Sequence, residues 1–267
     1  MKQNLHTHTR YCDGKDTVEE MVVSAIEKKF DVLGFSGHGY CRDIDYYSMN
    51  EEEENAYRED VLKIKNKYDE IKIYLGIEQD VLGKRFSKNM YDYVIGSVHF
   101  LKVNSGYLPV DESKQTLNKI VEYYQDFYQV SKAYYEEVIK LAYMDEVDII
   151  GHIDLLTKFN EDESYISFHD DRYLSYAFQC IDICIQNGKI FEVNTGAIAR
   201  GMRKTPYPHQ SLLEYIYKQG GKICLNSDCH DRNKLDCWYQ EAIQYIKSCG
   251  FHSVMILTDE GFCETNI

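Results

Sequence analysis

A chain of 267 residues, 44% hydrophobic and 28% charged, has enough apolar mass for one large core, and a barrel of this length is usually one domain. Its formal net charge of −14 disfavours a binder of long nucleic acid, which needs a basic face, but leaves room for a small phosphorylated substrate beside a metal cluster that reverses the local field. No apolar run approaches the roughly 20 residues of a membrane span, nothing near the N-terminus reads as a signal peptide, and nine cysteines without a CxxC pair fit reduced packing thiols in the cytoplasm.

The first chemical signal is Leu5-His6-Thr7-His8. On a strand, the i, i+2 spacing puts both imidazoles on one face, and Asp13 follows just after the strand ends. Thr17-Val18-Glu19-Glu20 is a capping box, and Val18, Met21, Val22, Ala25, Ile26 and Phe30 continue at helical spacing. Val32 to Ser36 predicts a buried strand ending at Gly37-His38-Gly39, where glycines permit close backbone approach. A polar loop over 42–50 leads to Glu51-Glu52-Glu53-Glu54, acids that complement the first turn of a helix carrying Tyr57, Val61, Ile64 and Tyr68.

Strands over 71–77 and 92–98 deliver Glu78 and His99. Residues 113–145 are helical and rich in tyrosine, with a break expected near Gln129-Val130-Ser131. A strand over 147–151 delivers His152, and a helix over 170–187 stops at Gly188. A strand over 189–193 leads to Asn194-Thr195-Gly196, and Leu212, Leu213, Ile216 and Tyr217 mark a helix ended by Gly220-Gly221. The strand 222–225 delivers Asp228 and His230; a helix over 235–248 and an apolar run over 253–257 follow.

Strand and helix alternate throughout, which implies a parallel sheet. The chemical residues sit at the ends of six or more strands, and a closed barrel is the architecture that brings so many C-terminal strand ends together. The expected fold is α/β, a distorted (β/α)7 TIM-like barrel, with residues 1–267 as one unit.

The candidate ligands are His6, His8, Asp13, His38, Glu78, His99, His152, Asp228 and His230. Each alone has a plain explanation, since strand-end histidines are often hydrogen-bonded core residues and strand-end aspartates often cap helices. Jointly they are harder to dismiss: six of the nine histidines occupy this one kind of position. His169, His209 and His252 fall in helix-start or loop contexts and read as structural or solvent-exposed, and Cys12 and Cys229 as packing residues beside the ligands. So many N and O donors exceed the needs of one ion, so two or three divalent ions with a bridging carboxylate are expected; Zn, Fe and Mn all suit such donors. Arg200, then Arg203, then Arg42 are the candidates to clasp a phosphate.

Together, His6-Thr7-His8, Asp13-Gly14, Gly37-His38-Gly39, Gly76-Ile77-Glu78, Ser97-Val98-His99, Gly151-His152 and Ser227-Asp228-Cys229-His230 resemble the motifs of the polymerase-and-histidinol-phosphatase (PHP) family. Gly151-His152-Ile153-Asp154-Leu155 and Asn194-Thr195-Gly196-Ala197 are most similar to its monofunctional histidinol phosphatases. The resemblance implies a trinuclear centre. His6, His8, Glu78 and Asp228 would hold one ion, Glu78 would bridge to a second with His99 and His152, and Asp13, His38 and His230 would hold the third. It assigns catalysis to Glu78, Asp228 and His230, and implies hydrolysis of L-histidinol phosphate by a metal-bridging hydroxide attacking phosphorus in line, with no phosphoenzyme. Asp228 or a metal-bound water would protonate the leaving alkoxide. Asp43, Asp45 or an acid of Glu51 to Glu54 would meet the ammonium of such a substrate. The alternatives are a PHP phosphoesterase acting on nucleotides, oligonucleotide ends or phosphotyrosine, and a non-catalytic scaffold, which the full set of competent ligands opposes.

Overall fold

The computed structural model describes residues 1–41 and 47–267. Seven parallel strands form the barrel: β1 (Gln3–Asn4), β2 (Val32–Phe35), β3 (Lys72–Asp80), β4 (Tyr93–Ser97) and, after a hairpin of β5 (Phe100–Val103) and β6 (Gly106–Pro109), β7 (Ile149–Ile150), β8 (Ile190–Asn194) and β9 (Lys222–Asn226). Their spatial order is β1-β2-β3-β4-β7-β8-β9, so each strand pairs with its predecessor in the barrel. Between them run α1 (Val18–Glu27), α2 (Glu51–Lys65), α3 (Lys114–Tyr124), α4 (Phe127–Ala142), α5 (Asp171–Gln186), the single turn α6 (Gly196–Ala199) and α7 (Gln210–Lys218). After β9 come α8 (Tyr239–Ser248) and a second hairpin, β10 (Ser253–Thr258) and β11 (Gly261–Asn266).

The ring closes where β1 runs out. Thr7 bridges Cys229 in parallel, with His8 N donating to Cys229 O at 2.8 Å and Cys229 N to His6 O at 3.0 Å. Side chains stitch the rest of this seam: Leu5 N donates to Asn226 Oδ1 at 2.8 Å and Ser227 N to Asn4 Oδ1 at 3.1 Å. This short first strand is what distorts the barrel.

Two apolar layers hold it. The interior is filled by Leu5, Val32, Tyr74, Tyr93, Ile95, Ile149, Ile190 and Cys224, with Met255 and Leu257 of β10 packed against them. Val32, Ile149 and Ile190 are the first residues of their strands, so the β10–β11 hairpin plugs the N-terminal end of the barrel. Gln3 ties it there by accepting from Leu257 N at 2.8 Å, and Tyr74 OH by donating to Asp259 at 2.9 Å. With that end closed, the C-terminal strand ends form the open mouth. The outer layer joins strands to helices, with Met21, Tyr57, Ile120, Tyr134, Ile181 and Ile216 among its buried residues.

The local signals act as expected at the α1 capping box, where Thr17 and Glu20 satisfy each other's backbone, and at α2, where Asn50 caps a first turn made of four glutamates. Three features differ. The long helix breaks at Gln125-Asp126 rather than near Gln129 to Ser131: Gln125 has φ +77° and Asp126 caps α4 by accepting from Gln129 N at 2.8 Å. β3 runs on to Asp80, so Glu78 lies within its ladder with β4 rather than beyond it. The hairpin β5–β6 and the strand β11 are additions to the expected barrel, each paired only with its neighbour in sequence.

Candidate metal centre and active site

Glu78 is the hub of the mouth. Its Oε2 lies 2.9 Å from His38 Nδ1, 3.2 Å from His6 Nε2 and 3.5 Å from His8 Nε2. Its Oε1 lies 3.1 Å from His152 Nε2 and 3.3 Å from His99 Nε2. Five imidazoles from four strand ends thus converge on one carboxylate that is 1% exposed. Asp228 Oδ1 stands 3.2 Å from His8 Nε2, 3.5 Å from His230 Nδ1 and 3.7 Å from His6 Nε2. Asp13 completes the rim, with Oδ2 3.1 Å from His230 Nε2 and Oδ1 3.4 Å from His8 Nδ1. The loop carrying Asp13 folds so tightly on its own strand that a Cβ at Gly14 would collide with the His8 and Thr9 backbone.

The structure therefore brings all of the sequence-derived ligand candidates to one place. Three sets of donor atoms lie within 4.8 Å of one another: His8, Asp13, His38 and His230; His6, His8 and Asp228; His38, Glu78 and His99. His8 and His38 each belong to two of these sets. The grouping implied by the resemblance gave each of them to a single ion.

The buried atoms fit cations. His6 Nε2, His8 Nε2 and Glu78 Oε2 are sealed from solvent, make no hydrogen bond and face one another. A cation there would take two imidazole lone pairs and one anionic oxygen at once. Burial opposes ionisation of Glu78, yet His38, His6 and His99 hold its carboxyl well below the ordinary range. Burial likewise opposes charge on Asp228, which Arg200 and His6 hold well below normal. On His6, burial opposes the proton, but Glu192, Glu78 and Asp228 push the imidazole up to about 10. A proton on His6 thus balances the neighbouring carboxylates wherever a cation does not, and metal binding would displace it.

Outer partners orient these ligands. Glu192, within β8, accepts from His6 Nδ1 at 2.6 Å, and Asp80 accepts from His99 Nδ1 at 3.1 Å. Sequence reasoning missed both. The available signal for Glu192 was an acid inside an otherwise apolar strand, which must find a partner once buried. For Asp80 it was the i, i+2 spacing from Glu78.

Beside the cluster opens a pocket of about 290 Å³ whose further walls include Tyr47, Pro109, Asp111, Glu112, Lys158 and Arg200. Arg200 Nη2 lies 3.0 Å from Asp228 Oδ2, and Lys158 Nζ lies 2.9 Å from Asp111 Oδ2. Arg203 has a different fate. Its guanidinium is buried, donates to Thr157 Oγ1 at 2.9 Å and stacks over Tyr207 at 4.3 Å, outside the pocket lining. The turn at Gly201, φ +72°, carries the chain away from the mouth between the two arginines. Arg42, Asp43 and Asp45 lie outside the described residues. The acids of α2 do not reach the pocket: Glu54 accepts from Tyr40 N and Tyr91 OH, and Glu51 pairs with Lys84. Beyond the candidate ligands, the acids lining the pocket are Asp111 and Glu112, just after the β5–β6 hairpin, which the sequence reading did not anticipate. His209 stacks on Phe168 at 3.9 Å, away from the cluster. Cys12 Sγ lies 3.5 Å from His8 Nδ1, and Cys229 Sγ donates to Asp231 O.

Comparison with known proteins places the chain among relatives of the same fold. The chain is similar to a "Probable histidinol-phosphatase" of Schizosaccharomyces pombe, 27% identical over 96% of this chain and 90% of that one. It is also similar to a histidinol-phosphatase of Bacillus subtilis, 20% identical over 91% and 98%. Among solved structures, hisK of Listeria monocytogenes superposes with a TM-score of 0.81 at 23% identity, covering 90% of this chain and 99% of that one. The histidinol phosphate phosphatase of Lactococcus lactis, solved with zinc, L-histidinol and phosphate, superposes with a TM-score of 0.72 at 20% identity over 98% of both chains. A model of the PHP domain matches residues 4–196, the span that holds His6 through His152 and Glu192, and with that match the chain belongs to the PHP domain family.

Proposed function

We propose that this protein is a metal-dependent phosphomonoesterase that hydrolyses L-histidinol phosphate to L-histidinol and phosphate. The observation that carries the reading is the convergence of buried imidazoles on Glu78 beside a pocket that also holds Arg200 and Lys158. The names of the relatives and the ligands of the Lactococcus structure support the choice of substrate. Two or three divalent ions, of zinc, iron or manganese, would be held by His6, His8, Asp13, His38, Glu78, His99, His152, Asp228 and His230. Bound there, such ions would acidify a water near neutral pH and offset charge on the phosphoryl oxygens.

The chain's own groups do the rest. Arg200 and Lys158 give the phosphate its non-metal contacts, and Asp111, Glu112 and Tyr47 face the aminated leaving alcohol. Asp228, held as a carboxylate by Arg200, enters turnover without a proton; it or a metal-bound water would pass the proton of the attacking water to the leaving alkoxide. All nine cysteines are free thiols, which supports a reducing, cytoplasmic setting. Among the described residues, no helix is long and apolar enough to cross a membrane.

The test is phosphate release from histidinol phosphate before and after chelation, with manganese or zinc added back. Loss on chelation, recovery on add-back and near-abolition in Glu78→Gln at unchanged circular dichroism are expected. Equal rates with and without chelator overturn metal dependence. Faster turnover of a nucleotide or phosphotyrosine peptide overturns the substrate assignment.

A further inference from the structure

We infer that Glu192 is a positioning residue that sets the tautomer of His6 and the backbone of His152 together, so that one carboxylate couples two metal ligands on different strands. The inference rests on the metal-dependent reading above.

Glu192 is fully buried, and both its oxygens are spent. Oε1 accepts from His6 Nδ1 at 2.6 Å and from Asn226 Nδ2 at 3.0 Å. Oε2 accepts from His152 N at 2.9 Å and from Asn194 Nδ2 at 2.8 Å. A proton fixed on His6 Nδ1 leaves Nε2 with its lone pair, and Nε2 is the unpartnered atom that faces Glu78 and Asp228. The other oxygen anchors the His152 amide where the chain turns, at φ +20°, an uncommon value for a residue with a side chain. Between the two anchors lies Glu78, 3.2 Å from His6 Nε2 and 3.1 Å from His152 Nε2. The carboxylate that braces these histidines from behind therefore sets their approach to the carboxylate in front.

A purely structural acid would serve only to satisfy buried donors. Glutamine separates the two roles, because it keeps the shape but carries one amide NH2. With that NH2 toward His6, the ring must accept at Nδ1 and hold its proton on Nε2, the atom meant for the metal. With it toward His152 and Asn194, donors face a donor in a buried site. Either way the variant harms a ligand. Asn194→Ala provides the control: it removes a bond to Glu192 and the Asn194 Oδ1 bond to Gly196 N, neither of them a candidate ligand.

The experiment is zinc titration of the chelated proteins against a chromophoric competitor, thermal melts of the same samples, and a ¹⁵N spectrum of the histidine side chains in the zinc-loaded protein. Glu192→Gln should bind zinc about 10- to 100-fold more weakly or with one ion fewer. Asn194→Ala should melt lower yet bind zinc as the wild type does. In the wild type, His6 should show a protonated Nδ1 and a metal-bound Nε2. Wild-type zinc binding in Glu192→Gln, equal loss in Asn194→Ala, or a His6 proton on Nε2 in the wild-type spectrum each overturns the inference, the last without any variant having to fold. A wild-type protein that binds zinc but leaves histidinol phosphate intact overturns the substrate assignment alone. One that binds no zinc overturns both.

Discussion

Arg200 shares the Asp228 carboxylate with the candidate ligand His8: Arg200 Nη2 sits 3.0 Å from Asp228 Oδ2, while Oδ1 of the same group sits 3.2 Å from His8 Nε2. Gly196 makes this possible, because a Cβ there would press on Asp228 Oδ2 at 2.7 Å. Asp228 itself holds φ +48°, a strained value that points it into the mouth. The guanidinium is thereby held at the edge of the cluster, 35% exposed along its side chain, with donors left for an incoming anion.

Two nearby arginines should therefore respond in opposite ways. Arg200→Ala is expected to lower kcat/KM by on the order of 10²-fold, the scale of losing one donor to a charged reacting group, with little change in stability. Arg203→Ala should leave the kcat/KM of folded enzyme near wild type but lower stability by roughly 3 kcal/mol, because Glu161 and Asp154 lose a buried partner. Steady-state kinetics and urea midpoints on both variants check this. Loss of activity without loss of stability in Arg203→Ala would return it to the phosphate site.

Asp111 is the acid best placed to meet a cationic leaving group. Burial opposes its charge, but Lys158, His99 and His152 hold its carboxyl below the ordinary value, so it is an anion at neutral pH. Asp111→Asn is expected to raise KM for histidinol phosphate about 10-fold, the scale of one charge-assisted hydrogen bond, and to leave KM for phenyl phosphate nearly unchanged. Equal losses on the two esters would show that Asp111 serves Lys158 rather than the ammonium.

The convergence of the candidate ligands was legible because several follow an apolar run that ends at a chemical residue: Val32 to Ser36 before His38, Val94 to Val98 before His99, and Ile149 to Gly151 before His152. Strand order then follows chain order, so no long-range knowledge was needed to gather them. The second layer was not legible in this way. Glu192 and Asp80 matter through the particular nitrogen each one holds, and sequence spacing does not specify a tautomer. Asp111 and Lys158 stand 47 positions apart and meet only because the β5–β6 hairpin folds over the mouth. Arg200 and Arg203 look alike in sequence, and the turn at Gly201 sends one to the pocket and the other into the core.

His209 gives stability an acid limit outside the metal centre. Its Nδ1 accepts from Ser211 N at 3.3 Å, capping α7, and burial with the neighbouring Arg203 charge lowers its pKa to about 4. An unfolded histidine protonates near 6.5, so the neutral folded form contributes stability fully above that pH. As pH falls from about 6.5 through 4, the unfolded chain gains the proton first and the contribution is lost, on the order of 2 kcal/mol after allowing for partial exposure. His209→Asn keeps a capping oxygen without titrating. Urea melts at pH 7 and pH 4 should show the wild type losing more stability than the variant; equal losses would remove His209 from the account.

Tyr93 links the barrel interior to the candidate ligand His6. Its ring lies between Gly34 and Gly76, and its hydroxyl donates to the carbonyl of Leu5, the residue before His6. A Cβ at Gly76 would overlap this ring inside a closed barrel, where the ring is not a flexible side-chain end. Gly76→Ala should therefore cost roughly 3 kcal/mol by overpacking. It should also weaken zinc binding, because the displaced ring pushes on the Leu5 carbonyl and so on His6. Pairing it with Tyr93→Leu, which frees the space but leaves that carbonyl without its donor, should recover stability more than it recovers zinc affinity, a non-additive result expected of touching residues. Urea midpoints and zinc titrations on the single and double variants read both quantities. If Gly76→Ala alone leaves zinc affinity unchanged, then Tyr93 packs the interior without steering the ligands.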